Sequence, residues 1–232
     1  MKKESTMLEA GVASSANVSR RNFLTYAGIG VLSASILSAC NKSDNGGMSD
    51  DGTINLGGGD VGILNYAYAL EQLEAAFYTE VVKSFYTGAT ESEKALLKDI
   101  RDHEIAHREF FKNALGSGAI PALEVNFSSI DFTNRASVLG TAKAFEDLGV
   151  SAYNGAGQLI ESRDYLLLAG KIVSVEARHA AYIRDIISNG TFADNTVVDM
   201  NGLDLSRTPS EVLTIAAPYI KSKISAANLP TS

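Results

Sequence analysis

At 232 residues the chain is sized for one domain, with or without appendages. Its 20 basic and 27 acidic side chains give a net charge of −7, which argues against the positive footprint that nucleic-acid binding needs. Cys40 is the single cysteine, so an intrachain disulfide is excluded.

Residues 1–39 read as an export signal. Ser19-Arg20-Arg21-Asn22-Phe23-Leu24 resembles a twin-arginine pattern, and the apolar run that follows to Ala39 is short for a bilayer span. Retention of that run as a membrane anchor is the competing reading. Leu37-Ser38-Ala39-Cys40 resembles a bacterial lipoprotein box, which implies cleavage before Cys40 and lipidation of that cysteine. Such cleavage removes four basic and two acidic side chains and leaves 16 against 25, a net of −9. The resemblance implies an exported lipoprotein, anchored to a membrane and facing the periplasm or the exterior.

Residues 40–59 are rich in Asn, Ser, Asp and Gly and read as a flexible tether. Gly57-Gly58-Gly59-Asp60-Val61-Gly62 formally matches G-x-G-x-x-G, but no βαβ unit surrounds it, so the dinucleotide reading fails.

Four long helices are predicted next, within a bundle over 60–190. The first starts at Asp60 as N-cap, runs to about Phe85 and ends before Gly88. Glu71 shares a face with Leu64, Ala67, Ala75, Tyr78 and Val82. A carboxylate there is costly unless paired or metal-bound. Glu74, one turn on and flanked by Leu70, Phe77 and Val81, is the alternative to Glu71. The second helix opens with the capping box Thr90-Glu91-Ser92-Glu93 and stops at Gly116. It carries Glu104 and His107 among Leu97, Ile100, Phe111 and Leu115, with His103 one residue off that face and read as solvent-facing or at the core edge. Gly116 to Phe132 is too long for a tight turn and can run the length of a bundle. The third helix, from about Thr133, carries Glu146 and Tyr153, with Gly149 and Gly157 on the same face as points of close packing. The fourth, from about Asp164 to Ser188, carries Glu176 and His179. Within the extension 191–232, Thr208-Pro209-Ser210-Glu211 opens a short fifth helix that Pro218 should kink or shorten.

Two Glu-x-x-His motifs, Glu104/His107 and Glu176/His179, therefore sit inside apolar-periodic helices. With three histidines in the chain, chance would give roughly 0.2 such pairs. Residues three apart on a helix share a face, so each motif aims a carboxylate and an imidazole together. Bundles that hold two metal ions use one Glu from each of two helices and a Glu-x-x-His from each of the others. Glu71 and Glu146 supply the lone glutamates. Each is followed seven residues on by a tyrosine, Tyr78 and Tyr153, nearly two turns further along the same face. The pattern is a twofold internal repeat.

Phe145-Glu146-Asp147-Leu148-Gly149-Val150-Ser151-Ala152-Tyr153-Asn154-Gly155-Ala156 resembles the third-helix signature of the ferritin-like family that includes plant and bacterial desiccation-related proteins. Leu70 to Tyr78 resembles its first-helix counterpart, and the similarity covers about residues 60–188. The resemblance implies an all-α ferritin-like four-helix bundle with one long crossover between helices two and three, plus the short C-terminal helix. Its ligand set falls on Glu71, Glu104, His107, Glu146, Glu176 and His179.

Four carboxylates and two imidazoles without a thiolate suit two iron ions, with manganese the other choice. Tyr78 and Tyr153 could hold ligand carboxylates or pass electrons, or simply pack with satisfied hydroxyls. The expected partners are metal ions, O2 or H2O2, and a membrane through the lipid on Cys40. Nucleic acid is not expected, and a homodimer is compatible with the sequence. The expected function is ferroxidase or peroxide-detoxifying chemistry. The alternative is a non-enzymatic bundle that protects during desiccation or other stress.

Overall fold

The computed structural model describes residues 47–231. The twin-arginine pattern, the apolar run, Cys40 and the first residues of the expected tether lie outside them. Five α-helices dominate: α1 (Gly59–Lys83), α2 (Glu91–Leu115), α3 (Arg135–Gly157), α4 (Arg163–Ile187) and α5 (Pro209–Ala216). Three two-residue strands form a small sheet: β1 (Gly47–Met48), β2 (Ile54–Asn55) and β3 (Ile224–Ser225). The fold is all-α, a four-helix bundle with a short C-terminal helix. No helix among the described residues is long and apolar enough to cross a membrane.

Local signals set most helix ends. Thr90 accepts from the Glu93 backbone N–H while Glu93 reaches back to Thr90, closing the expected capping box of α2. Gly116 ends that helix at a φ of +54°, a conformation that suits glycine. Asn134 caps α3, Ser162 caps α4, and Thr208 with Glu211 forms the capping box of α5. As expected from Pro218, α5 stops at Ala216 and passes into a 3-10 turn.

The first helix departs from expectation at both ends. Its N-cap is Gly58. Asp60 instead sits inside the helix, where its carboxylate accepts from the backbone N–H groups of Glu161 and Ser162 and ties α1 to the start of α4. At the other end Ser84 is already extended, so α1 closes at Lys83 rather than near Phe85.

Helix α1 is buried on nearly every side, from Gly62 through Ala75. Such a helix lies at the centre of its fold rather than on its surface. It packs chiefly on α2, and α3 packs chiefly on α4. The crossover begins beside the N-terminal end of α1, where Asn65 donates to Leu56 and Gly118 carbonyls and accepts from the Ile120 N–H. Midway, Gln72 accepts from the Leu123 N–H and donates to the Pro121 carbonyl. It ends beside the α1–α2 turn, where the Thr87 N–H donates to the Thr133 carbonyl. The segment thus runs the bundle's length, and α3 enters antiparallel to α1.

Residues 47–58 correct the tether expectation. β1 pairs antiparallel with β2, β2 pairs parallel with β3, and Ile54 and Leu56 are buried in the core. Their burial repays the ordering of a polar segment. The C-terminal extension is held equally closely. The Arg207 N–H donates to the Ser151 carbonyl, and a Cβ on Gly155 would lie 1.7 Å from the Arg207 oxygen, so this approach requires glycine. Arg184 on α4 is buried and donates two hydrogen bonds, at 2.8 and 2.9 Å, to Asp147 on α3 while also reaching Asp194 and Thr196.

Candidate metal centre

The four helices bring six side chains to one point inside the bundle. Glu71 comes from α1, Glu104 and His107 from α2, Glu146 from α3, and Glu176 and His179 from α4. All four carboxylates have zero exposure. His107 Nδ1 lies 2.7 Å from Glu176 Oε1, 3.5 Å from Glu71 Oε2 and 3.7 Å from Glu104 Oε2. His179 Nδ1 lies 2.8 Å from Glu104 Oε1 and 3.4 Å from both Glu146 Oε2 and Glu176 Oε2. Two ligand groups result: Glu71, Glu104, His107 and Glu176 in one, and Glu104, Glu146, Glu176 and His179 in the other, each with its ligand atoms within 4.8 Å of one another. Glu104 and Glu176 belong to both.

The helical repeat accounts for the symmetry. The i, i+3 spacing puts each Glu and His on one face, and antiparallel pairing sets His107 against Glu176 and His179 against Glu104. The tyrosines cross between the helices that carry the lone glutamates. Tyr78 on α1 donates to Glu146 Oε1 on α3 at 2.5 Å. Tyr153 on α3 donates to Glu71 Oε1 on α1. Each lone glutamate thus has one oxygen held by a phenol and the other turned inward.

The inward atoms are the decisive observation. Glu71 Oε2, both oxygens of Glu104 and of Glu176, Glu146 Oε2, and Nδ1 of His107 and of His179 are buried with no hydrogen-bond partner. Buried polar atoms are rarely left so, and here they face one another. Carboxylate oxygens have only lone pairs to offer, and cations would satisfy them together. The donor set fits divalent metal ions, with hard oxygen and borderline nitrogen ligands.

A family model described as a ferritin-like domain matches residues 59–189, from the first residue of α1 to just past α4. The chain belongs to the ferritin-like family. No curated protein compared with it matches.

Burial and mutual charge shift the protonation of these groups. Burial and the Glu176 charge push Glu104 up to about 8. Burial also raises Glu146, although His179 works against it. At His107 burial opposes the imidazolium, but the charge of Glu71 and the nearby carboxylates outweigh it and the pKa is raised; Glu146 and its neighbours do the same at His179. Glu176 is drawn down to about 2, against its burial, by the two imidazoles. Without a metal ion, protons take up the charge that buried carboxylates cannot leave uncompensated.

Two further groups border the centre. Glu74 is a separate buried carboxylate outside both ligand groups, raised well above the usual range by burial and by the charges of Glu104, Glu176, Glu146 and Glu71. Its neighbour across the helix pair is Gly149, where a Cβ would lie 3.1 Å from Glu74 Oε1. The space at Gly149 therefore receives a carboxylate rather than a packed helix. His103 is exposed, as expected, yet its Nδ1 lies 2.9 Å from His179 Nε2, and the two ring planes are 12° from parallel with centroids 5.2 Å apart. Spacing alone missed this contact, because His103 reaches across to α4 rather than along its own helix. The position before Glu176 is Val175, so the second half has no counterpart, and that break in the repeat was the available signal.

Proposed function

We propose that this ferritin-like chain holds two metal ions, iron or manganese, and reacts them with O2 or H2O2. Glu71, Glu104, His107, Glu146, Glu176 and His179 are the proposed ligands, with Glu104 and Glu176 shared between the ions. The eight unpartnered inward atoms carry this reading. Four glutamates balance the charge of two divalent ions, so the ionised site is neutral as a whole.

A bound pair of such metals supplies two one-electron changes, the number needed to reduce H2O2 to water or O2 to peroxide. The chain's own groups prepare that chemistry. Tyr78 and Tyr153 fix one oxygen of Glu146 and of Glu71, so that only the other turns inward. With its proton on Nε2, His179 would donate a hydrogen bond to His103 Nδ1, 2.9 Å away, and keep Nδ1 as a ligand atom. The surrounding core, including Leu97, Ile100, Phe111 and Ile183, excludes bulk water.

The export pattern and the lipoprotein-like box support a place in the cell envelope, anchored through Cys40. Mass analysis of the purified mature N-terminus tests that part.

The functional test loads the apo-protein anaerobically with Fe(II) and adds O2 or H2O2 in separate runs, following Fe(III) absorbance. Oxidation at least tenfold faster than in buffer, and lost in Glu176→Ala, is the expected result. Wild-type protein that takes up iron but oxidises it no faster than buffer would leave the protective, non-enzymatic role in its place.

A further inference from the structure

The ligands of the two halves correspond one to one, but the residues just before the paired motifs do not. His103 precedes Glu104, whereas Val175 precedes Glu176. The two ligand imidazoles lie side by side, with ring centroids 6.5 Å apart, and their surroundings differ accordingly. His179 keeps 6% of its side-chain surface exposed, and its outer nitrogen, Nε2, lies 2.9 Å from His103 Nδ1. His107 keeps 14% and is the one ligand of the six that is not fully buried. Among the described residues no hydrogen bond is made by its Nε2, and that nitrogen is not buried, so it meets water.

This difference acts on how firmly each ring is held. A ligating imidazole whose other nitrogen is bonded to a protein group is fixed in tautomer and orientation, and losing that partner costs about 10- to 100-fold in metal affinity. A ring whose outer nitrogen is bonded only to water keeps an equivalent hydrogen bond when it turns away. Glu71, Glu104, Glu146 and Glu176 have no exposed surface. At the His107 half, the ligand that borders solvent is therefore the imidazole itself. It does so beside the seam between α2 and α4, where His107 Nδ1 faces Glu176 and His103 faces His179.

We propose that the centre opens at His107: the ion held by Glu71 and His107 exchanges with solution, while the ion held by Glu146 and His179 is retained. The proposal rests on the two-metal reading above. In the exchange a water–metal bond replaces the His107 nitrogen–metal bond, and water then replaces the carboxylates until the ion is free. Entry is the reverse. Nothing is oxidised or reduced, and only metal–oxygen and metal–nitrogen bonds change.

The test uses the full chain loaded with two Co(II) ions and mixed with excess EDTA. Stopped-flow absorption follows the bound Co(II), and metal analysis of desalted samples taken between phases counts the ions left. Wild type should release its metal in two phases of one ion each, with rates about tenfold apart or more. His103→Ala should speed the slow phase by about 10- to 100-fold and leave the fast phase unchanged. Val175→His places an imidazole at the matching position of the other half. It should slow the fast phase and leave the slow one unchanged.

Release of both wild-type ions in one phase would overturn the proposal while leaving two bound metals in place. So would a slow phase untouched by His103→Ala, or a fast phase untouched by Val175→His. A wild-type chain that takes up fewer than two Co(II) ions would remove the two-metal reading and this proposal with it. Thermal midpoints of the apo variants within a few degrees of wild type show that folding is not the cause.

Discussion

His103 on α2 and His179 on α4 meet edge to edge through their ring nitrogens, Nδ1 to Nε2 at 2.9 Å, with their planes 12° apart. For His179 to offer Nδ1 as a lone pair, its proton must sit on Nε2, and His103 is the acceptor found there. The Glu146 half of the centre therefore has an oriented imidazole. Replacing His103 by Ala should weaken one of the two metal ions by about 10- to 100-fold, the usual cost of losing such a partner. The other ion should be little affected. Calorimetric titration with Mn(II) resolves the two affinities, and His103→Asn, which retains an acceptor, should recover part of the loss. Equal weakening of both ions would show that the contact is not specific to His179.

Tyr78→Phe and Tyr153→Phe each remove the phenol from a buried carboxylate oxygen, on Glu146 and Glu71 respectively. Leaving a buried acceptor unsatisfied costs about 1–3 kcal/mol. Each apo variant should unfold at lower denaturant with an unchanged slope. The double variant should differ from the sum of the singles, because both tyrosines act on one electrostatic cluster. Strict additivity in chemical denaturation would argue that the two halves are independent.

The apo-protein should lose stability as pH rises through the neutral range. Glu104 and Glu74 have folded pKa values raised above their unfolded ones, and so do His107 and His179. A raised folded value means that the native state holds protons the unfolded chain has released, so the contribution is complete below the unfolded pKa and lost as pH rises. For Glu104 that window runs from about 4.5 to about 8. For the imidazoles the loss begins near 6.5 and continues upward. Metal binding has the opposite trend, since it needs ionised carboxylates and neutral imidazoles. The gap in thermal midpoint between loaded and apo protein should widen from pH 5 to pH 8. A gap that narrows over that range would contradict the charge assignment.

Arg184→Ala should loosen the extension without emptying the centre. Arg184 is 3% exposed and holds Asp147 with two hydrogen bonds, while Asp194 and Thr196 lean on the same guanidinium. Breaking a buried pair from one side costs about 3–5 kcal/mol, and the partial exposure of Asp147 favours the low end. Limited proteolysis should then cut within 191–207 first, with metal stoichiometry unchanged. Resistance equal to wild type would show that the sheet and α5 alone hold the segment.

That these six side chains would converge was legible because helical spacing is a local property. Glu104 and His107 declare a shared face by being three apart, and apolar neighbours on that face declare it buried. The tyrosines at plus seven were legible for the same reason. Their pairing across α1 and α3 was not, since it depends on two helices running antiparallel. Glu71 and Glu74 could not be separated by face alone, because α1 is buried on almost all sides and both carboxylates enter the interior. His103 escaped because its partner belongs to another helix. The segment 47–58 read as tether because its two buried apolar side chains, Ile54 and Leu56, belong to a strand whose second partner, Ile224–Ser225, lies far along the chain.

The most direct test is to count the metal ions bound by the folded chain. Anaerobic titration of the apo-protein with Fe(II), with analysis of protein-bound metal after desalting, should saturate at two ions per chain. The double variant Glu104→Ala, Glu176→Ala, which removes both shared carboxylates, should retain none. Saturation of the wild type at one ion or fewer, or two ions still bound by the double variant, would contradict a pair of metal ions held between these six side chains.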